Sequence, residues 1–99
     1  MKPRPGQTIA VFGTGAVGLA AMMAGKISGC TRVIAVDIVP SRLELAKELG
    51  ATAAINSKED PVEKIKELTD GYGVDYTVDT TGLPAVMKQG IDSLAQGGN

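Results

Sequence analysis

The chain has 99 residues, 43% of them hydrophobic, with 10 basic and 11 acidic residues for a net charge of −1, no histidine and a single cysteine, Cys30. That length allows one domain, and the balanced charge offers no basic stripe to a nucleic acid. One cysteine without histidine excludes an internal disulfide, a Cys/His zinc site and a histidine-based general base or Ser-His-Asp relay within this chain.

Met1-Lys2-Pro3-Arg4-Pro5-Gly6 lacks the apolar core of a signal peptide. The most apolar stretch, Ala16 to Ile27, is too short to span a bilayer. The expectation is a cytoplasmic protein without membrane association. Thr8 to Phe12, β-branched and apolar, is bounded by Pro5-Gly6 and Gly13 and reads as a buried strand. Gly13-Thr14-Gly15-Ala16-Val17-Gly18 follows and leads into a helix over Ala16 to Ile27. That helix is apolar nearly all round, the pattern of a helix covered on most sides, with Met22 and Met23 as core residues. Gly29, in Ser28-Gly29-Cys30, ends it, and Cys30 reads as a small packed residue.

Arg32 to Asp37 is the second strand, a continuous apolar run suited to a parallel sheet covered on both faces. Pro40 opens a second helix, in which Ser41 and Glu44 have the spacing of a capping box. Leu43, Ala46 and Leu49 share one face, and Gly50 stops it. Ala53 to Ile55 is a short third strand near an edge. Asp60-Pro61 starts a third helix with Pro61 at the first helical position, and Val62, Ile65 and Leu68 form its inner side. Gly71-Tyr72-Gly73 breaks it. Val74 to Thr80 reads as the fourth strand, and Pro84 to Leu94 as the fourth helix, with Met87, Ile91 and Leu94 turned inward. Ala95 to Asn99 is a turn.

Strict βα alternation predicts an α/β fold of Rossmann type, a doubly wound parallel sheet with strand order 3-2-1-4 and helices on both faces. Ligands bind such folds at the switch point, here between strands 1 and 4. The G-x-G-x-x-G run sits where that geometry needs it. Gly13 allows a tight exit from the first strand, Gly15 lets a phosphate approach the backbone, and Gly18 lets the helix lie against the sheet. The unpaired amides at the helix start attract a pyrophosphate. Asp37, 19 residues after Gly18, can accept the hydroxyls of an adenosine ribose and repel a 2′-phosphate, which favours NAD over NADP. Arg42 is either a solvated helix residue or a ribose contact, and in another geometry it could meet a 2′-phosphate. Asp75 and Asp79 alternate along the fourth strand, and Asp79 is either a ligand near the strand's end or a turn cap.

Several segments together resemble the coenzyme-binding domain of medium-chain, zinc-dependent alcohol dehydrogenases, of aryl- or benzyl-alcohol type. They are Pro5-Gly6-Gln7-Thr8 and the glycine loop, Val36-Asp37-Ile38, Arg42 to Thr52, Gly73 to Gly82, and Leu94-Ala95-Gln96-Gly97-Gly98. The resemblance implies that Gly13, Gly15, Ala16, Val17 and Gly18 cradle the cofactor, with Val17 near the nicotinamide. It implies that Asp37 and Arg42 contact the adenosine ribose and that Thr80, Thr81 and Gly82 line the crevice. It further implies a parent enzyme that transfers hydride reversibly between an alcohol and NAD, with a catalytic zinc held by another domain. Residues 1–99 would then be a truncated dinucleotide-binding domain without the catalytic domain or the last strands, binding NAD(H) but not turning over alcohol by itself. A nucleotide-sensing regulatory module and an S-adenosylmethionine-binding domain are the alternatives; Gly18 and the tight helix start favour a dinucleotide over the latter. A fourth strand without a fifth beside it would have an open edge and a tendency to self-associate, which sedimentation at high concentration would report.

Overall fold

A computed structural model describes residues 7–27, 29–69, 73–81 and 84–94. The chain alternates β1 (Thr8–Phe12), α1 (Ala16–Ile27), β2 (Arg32–Asp37), α2 (Pro40–Glu48), β3 (Ala53–Asn56), α3 (Pro61–Leu68), β4 (Tyr76–Asp79) and α4 (Pro84–Ser93). The strands form one sheet in the order β3-β2-β1-β4, every pair parallel. This is the expected doubly wound arrangement. β1 and β2 sit in its centre and are buried along nearly their whole length, which is why both read as unbroken apolar runs. Successive side chains point to opposite faces and build two cores. Ile9, Val11, Val33 and Ala35 pack with Met22 of α1 and Ala46 of α2. Ala10, Phe12, Ile34 and Val36 pack with Ile55, Val74 and Ile65 of α3.

Cys30 joins the first of these cores, as its packed reading required. Burial, and then the nearby charge of Asp75, push its thiol pKa up, so the group stays protonated and inert. β4 is shorter than its sequence suggests. Val74 pairs instead with Leu94 beyond α4, and the Asp75 amide turns to the Thr8 carbonyl at 3.0 Å. The Asp75 carboxylate accepts the Thr8 N–H at 2.9 Å, so this residue fastens the start of β1.

The helices depart from their patterns in instructive ways. α1 is not covered on most sides: Met22 is buried, whereas Val17 and Ile27 are 71% and 85% exposed and Met23 is exposed too. One sheet face buries one side of a helix, and no other described element covers the rest. The capping box of α2 does not form. The helix starts at Pro40, so Ser41 lies inside its first turn, and the N-cap residue Val39 makes no side-chain cap bond. On the same helix Ala46 is buried, but Leu49, the C-cap residue just past its end, is exposed. In α3 the Asp60 carboxylate accepts the Glu63 N–H at 3.2 Å as a true N-cap. Ile65 is fully buried and Leu68 is exposed, because a three-residue spacing drifts about 60° around the helix at each step.

α4 meets the sheet through its smallest residues. A Cβ added to Gly90 would lie 3.5 Å from Thr77 Oγ1 and 3.8 Å from Phe12, and Ser93 is buried. Ile91 therefore points outward, 67% exposed, against its expected inward position. Leu94 packs at the edge of the core around Phe12 and Ile65. The Met87 side chain, Gly71-Tyr72, Gly82 and the turn 95–99 lie outside the described residues. No helix among the described residues is long and apolar enough to cross a membrane.

The contrast between α3 and α4 is testable. Ile65→Ala should lower the unfolding free energy by about 2–5 kcal/mol. Ile91→Ala should change it by less than about 0.5 kcal/mol. Equal losses in urea denaturation would contradict the orientation of α4.

Candidate functional site

The C-terminal ends of β1, β2 and β4 converge on the turn between β1 and α1. Gly13 there has φ +92°, a conformation that side chains rarely adopt. Its amide donates to the Val36 carbonyl at 2.7 Å. Thr80, just past β4, donates its amide to the Phe12 carbonyl at 3.0 Å. Its hydroxyl lies 3.1 Å and 3.2 Å from the Gly13 and Phe12 carbonyl oxygens, to which it donates. On the other side of the turn, a Cβ on Gly18 would fall 1.8 Å from the Gly13 carbonyl oxygen. No side chain fits there, so α1 can start against the strand only through glycine.

Gly15 differs from both. A Cβ added to it would meet nothing within 4 Å. The helical ladder begins with the Leu19 N–H on the Gly15 carbonyl at 2.9 Å, which leaves the preceding amides without intrahelical partners. Open space in front of such amides is what an anion needs.

That space belongs to a cavity of about 610 Å³, within the usual range for small-molecule sites, about 300–1,000 Å³. It brings together Gly13, Gly15, Val17, Gly18, Asp37, Arg42, Thr80 and Thr81. Eight of the ten residues singled out in the sequence thus line one cavity. Ala16 is the first residue of α1, and Gly82 lies outside the described residues. The cavity also takes in Phe12, Val36, Ile38 and Ser57, which sequence reasoning missed. Ser57 arrives because its amide extends the β2–β3 pairing onto the Asp37 carbonyl at 2.9 Å. Ile38 offered a faint signal, an apolar side chain directly after the acid, and it is 54% exposed.

Asp37 closes β2 and is 6% exposed. Its Oδ2 accepts the Thr14 N–H at 2.7 Å and the Thr14 hydroxyl at 2.8 Å, and its Oδ1 accepts the Val39 N–H at 2.9 Å. Burial is the strongest single influence on this carboxyl and pushes its pKa up. The bonds from Thr14, Val39 and Ile38 together outweigh it and hold the pKa below the ordinary carboxylate range. Arg42 Nη1 stands 4.0 Å from Oδ2 with its side chain 55% exposed. Asp79 is a turn cap: its Oδ1 accepts the Thr81 N–H at 2.8 Å and the Thr81 hydroxyl at 2.6 Å. Thr14, in a variable position of the glycine loop, was not anticipated. Only the register Phe12↔Val36, which sets Asp37 beside the loop, points to it.

The sequence model of the zinc-binding dehydrogenases matches residues 16–99. The chain belongs to the zinc-binding dehydrogenase family. It is 54% identical to the benzyl alcohol dehydrogenase of Acinetobacter calcoaceticus, with a TM-score of 0.91 over 95% of this chain and 26% of that one. It is 64% identical to an alcohol dehydrogenase zinc-binding domain protein from Burkholderia ambifaria, with a TM-score of 0.88 over 92% of this chain and 25% of that one. A probable alcohol dehydrogenase of a Pseudomonas species is 45% identical over 96 residues, which are 96% of this chain and 30% of the relative. The chain thus spans under a third of the length of these dehydrogenases. The resemblance carried by the glycine loop, Val36-Asp37-Ile38 and the Leu-Gly-Ala-Thr segment holds.

Two outcomes follow. Gly15→Ala should fold as the native chain does, while Gly18→Ala should lose cooperative unfolding in circular dichroism; the reverse order would contradict the turn geometry. The second concerns pH. The Asp37 pKa is lower in the folded than in the unfolded chain, so the ionised carboxylate stabilises the fold above about pH 4, and that contribution disappears as pH falls through the folded-state value. The gap in thermal midpoint between the native chain and Asp37→Asn should be full at pH 7 and close on acidification. A gap that widens in acid would refute the assigned shift.

Proposed function

We propose that this chain is the NAD(H)-binding portion of an alcohol dehydrogenase, with aromatic alcohols as the substrate class of the whole protein. One observation carries the cofactor reading: a buried, ionised carboxylate closes β2 at the same cavity as the open face of Gly15. The carboxylate suits a ribose and opposes a 2′-phosphate, and the Gly15 face suits a pyrophosphate. Val17, exposed at the cavity, offers an apolar surface to a nicotinamide ring. Identity to a benzyl alcohol dehydrogenase supports the substrate class.

Bound NAD would supply the hydride acceptor. This chain's own residues hold the cofactor: loop amides on the pyrophosphate, Asp37 on the ribose, and Thr80 fixing the turn between them. They do not fit a zinc ion. The chain has no histidine and one cysteine, that cysteine is buried, and among the described residues no three Cys, His, Asp or Glu side chains gather as a metal site. Zinc chemistry in the whole protein would thus rest on residues beyond these, and this chain binds without turnover.

Titration with NAD, NADP and S-adenosylmethionine tests the reading. NAD should bind most tightly. Asp37→Ala should weaken NAD about 10- to 100-fold, the loss expected for hydrogen bonds to a charged group, and NADP much less. Equal losses for both, or preferential binding of S-adenosylmethionine, would overturn it.

A further inference from the structure

We propose that the outer edge of β3 is a self-association surface: it pairs antiparallel with β3 of a second copy of this chain, and the two α3 helices exchange Lys64–Glu67 ion pairs across the two-fold axis. The cleft that marks this edge shares no residue with the nucleotide cavity.

The order β3-β2-β1-β4 leaves β3 with one strand neighbour among the described residues. The Thr52 N–H reaches inward to the Val33 carbonyl of β2 at 2.8 Å. Backbone groups alternate sides along a strand, so those of Ala53 and Ile55 turn to the free edge. Ala46 of α2 packs on one face of the sheet and Ile65 of α3 on the other. A cleft of about 420 Å³ is lined by Lys47 of α2, by Thr52 to Ile55, and by Lys64, Glu67 and Leu68 of α3. Only a cleft that follows the strand edge meets both helices. Leu68 is exposed there and offers an apolar contact.

Charges beside an edge ordinarily keep it from pairing. Here they are ordered so that a second copy satisfies them. All strand pairs are parallel, so α3 runs back against β3. Lys64 therefore stands nearer the C-terminal end of the strand and Glu67 nearer its N-terminal end. Three residues apart, they share one side of the helix. A two-fold axis normal to the sheet reverses the strand and keeps α3 and its copy on one face. It sets Lys64 of each copy beside Glu67 of the other. β3 has 4 residues and α3 has 8, spans of about 13 Å and 12 Å, so their midpoints lie level under one axis. Lys64 now stands 3.9 Å from Glu59, and both side chains are about half exposed. So long and open a pair yields readily to a new partner. The cleft holds two lysines and two glutamates and thus has no net charge with which to draw a charged peptide. An isologous contact uses both signs at once. Its small extent places it among weak, reversible contacts.

Sedimentation equilibrium of the native chain, Lys64→Glu and Glu67→Lys tests the surface. Both positions are exposed, so both variants should fold. The native chain should dimerise reversibly at high concentration. Each single reversal should weaken the dimer about tenfold or more, because it sets like charges together at two places. An equimolar mixture of the two variants should recover native association to within about threefold, each supplying the charge that the other lacks. Amide exchange at Ala53 and Ile55 should slow as concentration rises. A native chain still monomeric at about 1 mM would overturn the proposal. So would reversals that leave association unchanged, a mixture that does not recover it, or protection that rises along β4 instead of β3.

Discussion

At the end of β1 two stretches of backbone come closer together than a side chain permits, and the Thr80 side chain closes on them from β4. The Gly13 carbonyl lies where a Cβ on Gly18 would be, and the Thr80 hydroxyl grips that carbonyl from the β4 side. A Cβ on Gly13 would in turn meet Thr80 Oγ1 at 2.5 Å. The strand therefore passes into helix without room for a spacer. Much else depends on this contact. It sets the start of α1 over the gap between β1 and β4, it aims the free amides of the first turn into that gap, and it brings the loop within reach of the end of β2.

The buried carboxylate is the second consequence. Placing Asp37 nearly out of water would cost several kcal/mol if it stood alone. It does not: Thr14 in the loop supplies two donors, and the Ile38 and Val39 N–H groups at the entry to α2 supply two more. The bond to the Val39 N–H is an Asx turn, in which a side chain accepts from the amide two residues on. That turn explains why the Ser41 and Glu44 pattern stays unused. The entry to α2 is already fixed from upstream by Asp37, and Pro40 needs no donor of its own at the first helical position. One carboxylate thus ties the loop, β2 and α2 together.

The fold was legible where local chemistry and burial agree. β1 and β2 are continuous apolar runs because both faces of a central parallel strand are covered; Pro61 behind Asp60 marks the start of α3 because cap and fixed φ act within one turn. It was least legible where a tertiary choice decides between similar residues. Whether Ile91 or Gly90 of α4 meets the sheet depends on how closely the helix approaches, and no helical period contains that distance. The site was legible at its glycines and at Asp37, whose spacing reflects backbone geometry. Thr14 was not, because its significance arises from the register between β1 and β2. Ser57 and Ile38 enter the cavity for the same reason, through strand ends brought level by pairing.

Magnitudes separate the two charged residues at the end of β2. Arg42 and Asp37 are at the outer limit of an ion pair, 4.0 Å, with the arginine side chain 55% exposed. A pair so open to solvent contributes under about 1 kcal/mol and weakens with salt. The Asp37 carboxylate, by contrast, is 6% exposed, so its charge is screened by less water than that of the arginine. An exposed arginine at that distance does not neutralise a buried carboxylate. The sign of the field at the end of β2 is therefore negative. A neutral group meets no repulsion there, whereas a phosphate would have to draw Arg42 away from Oδ2 while still facing the carboxylate.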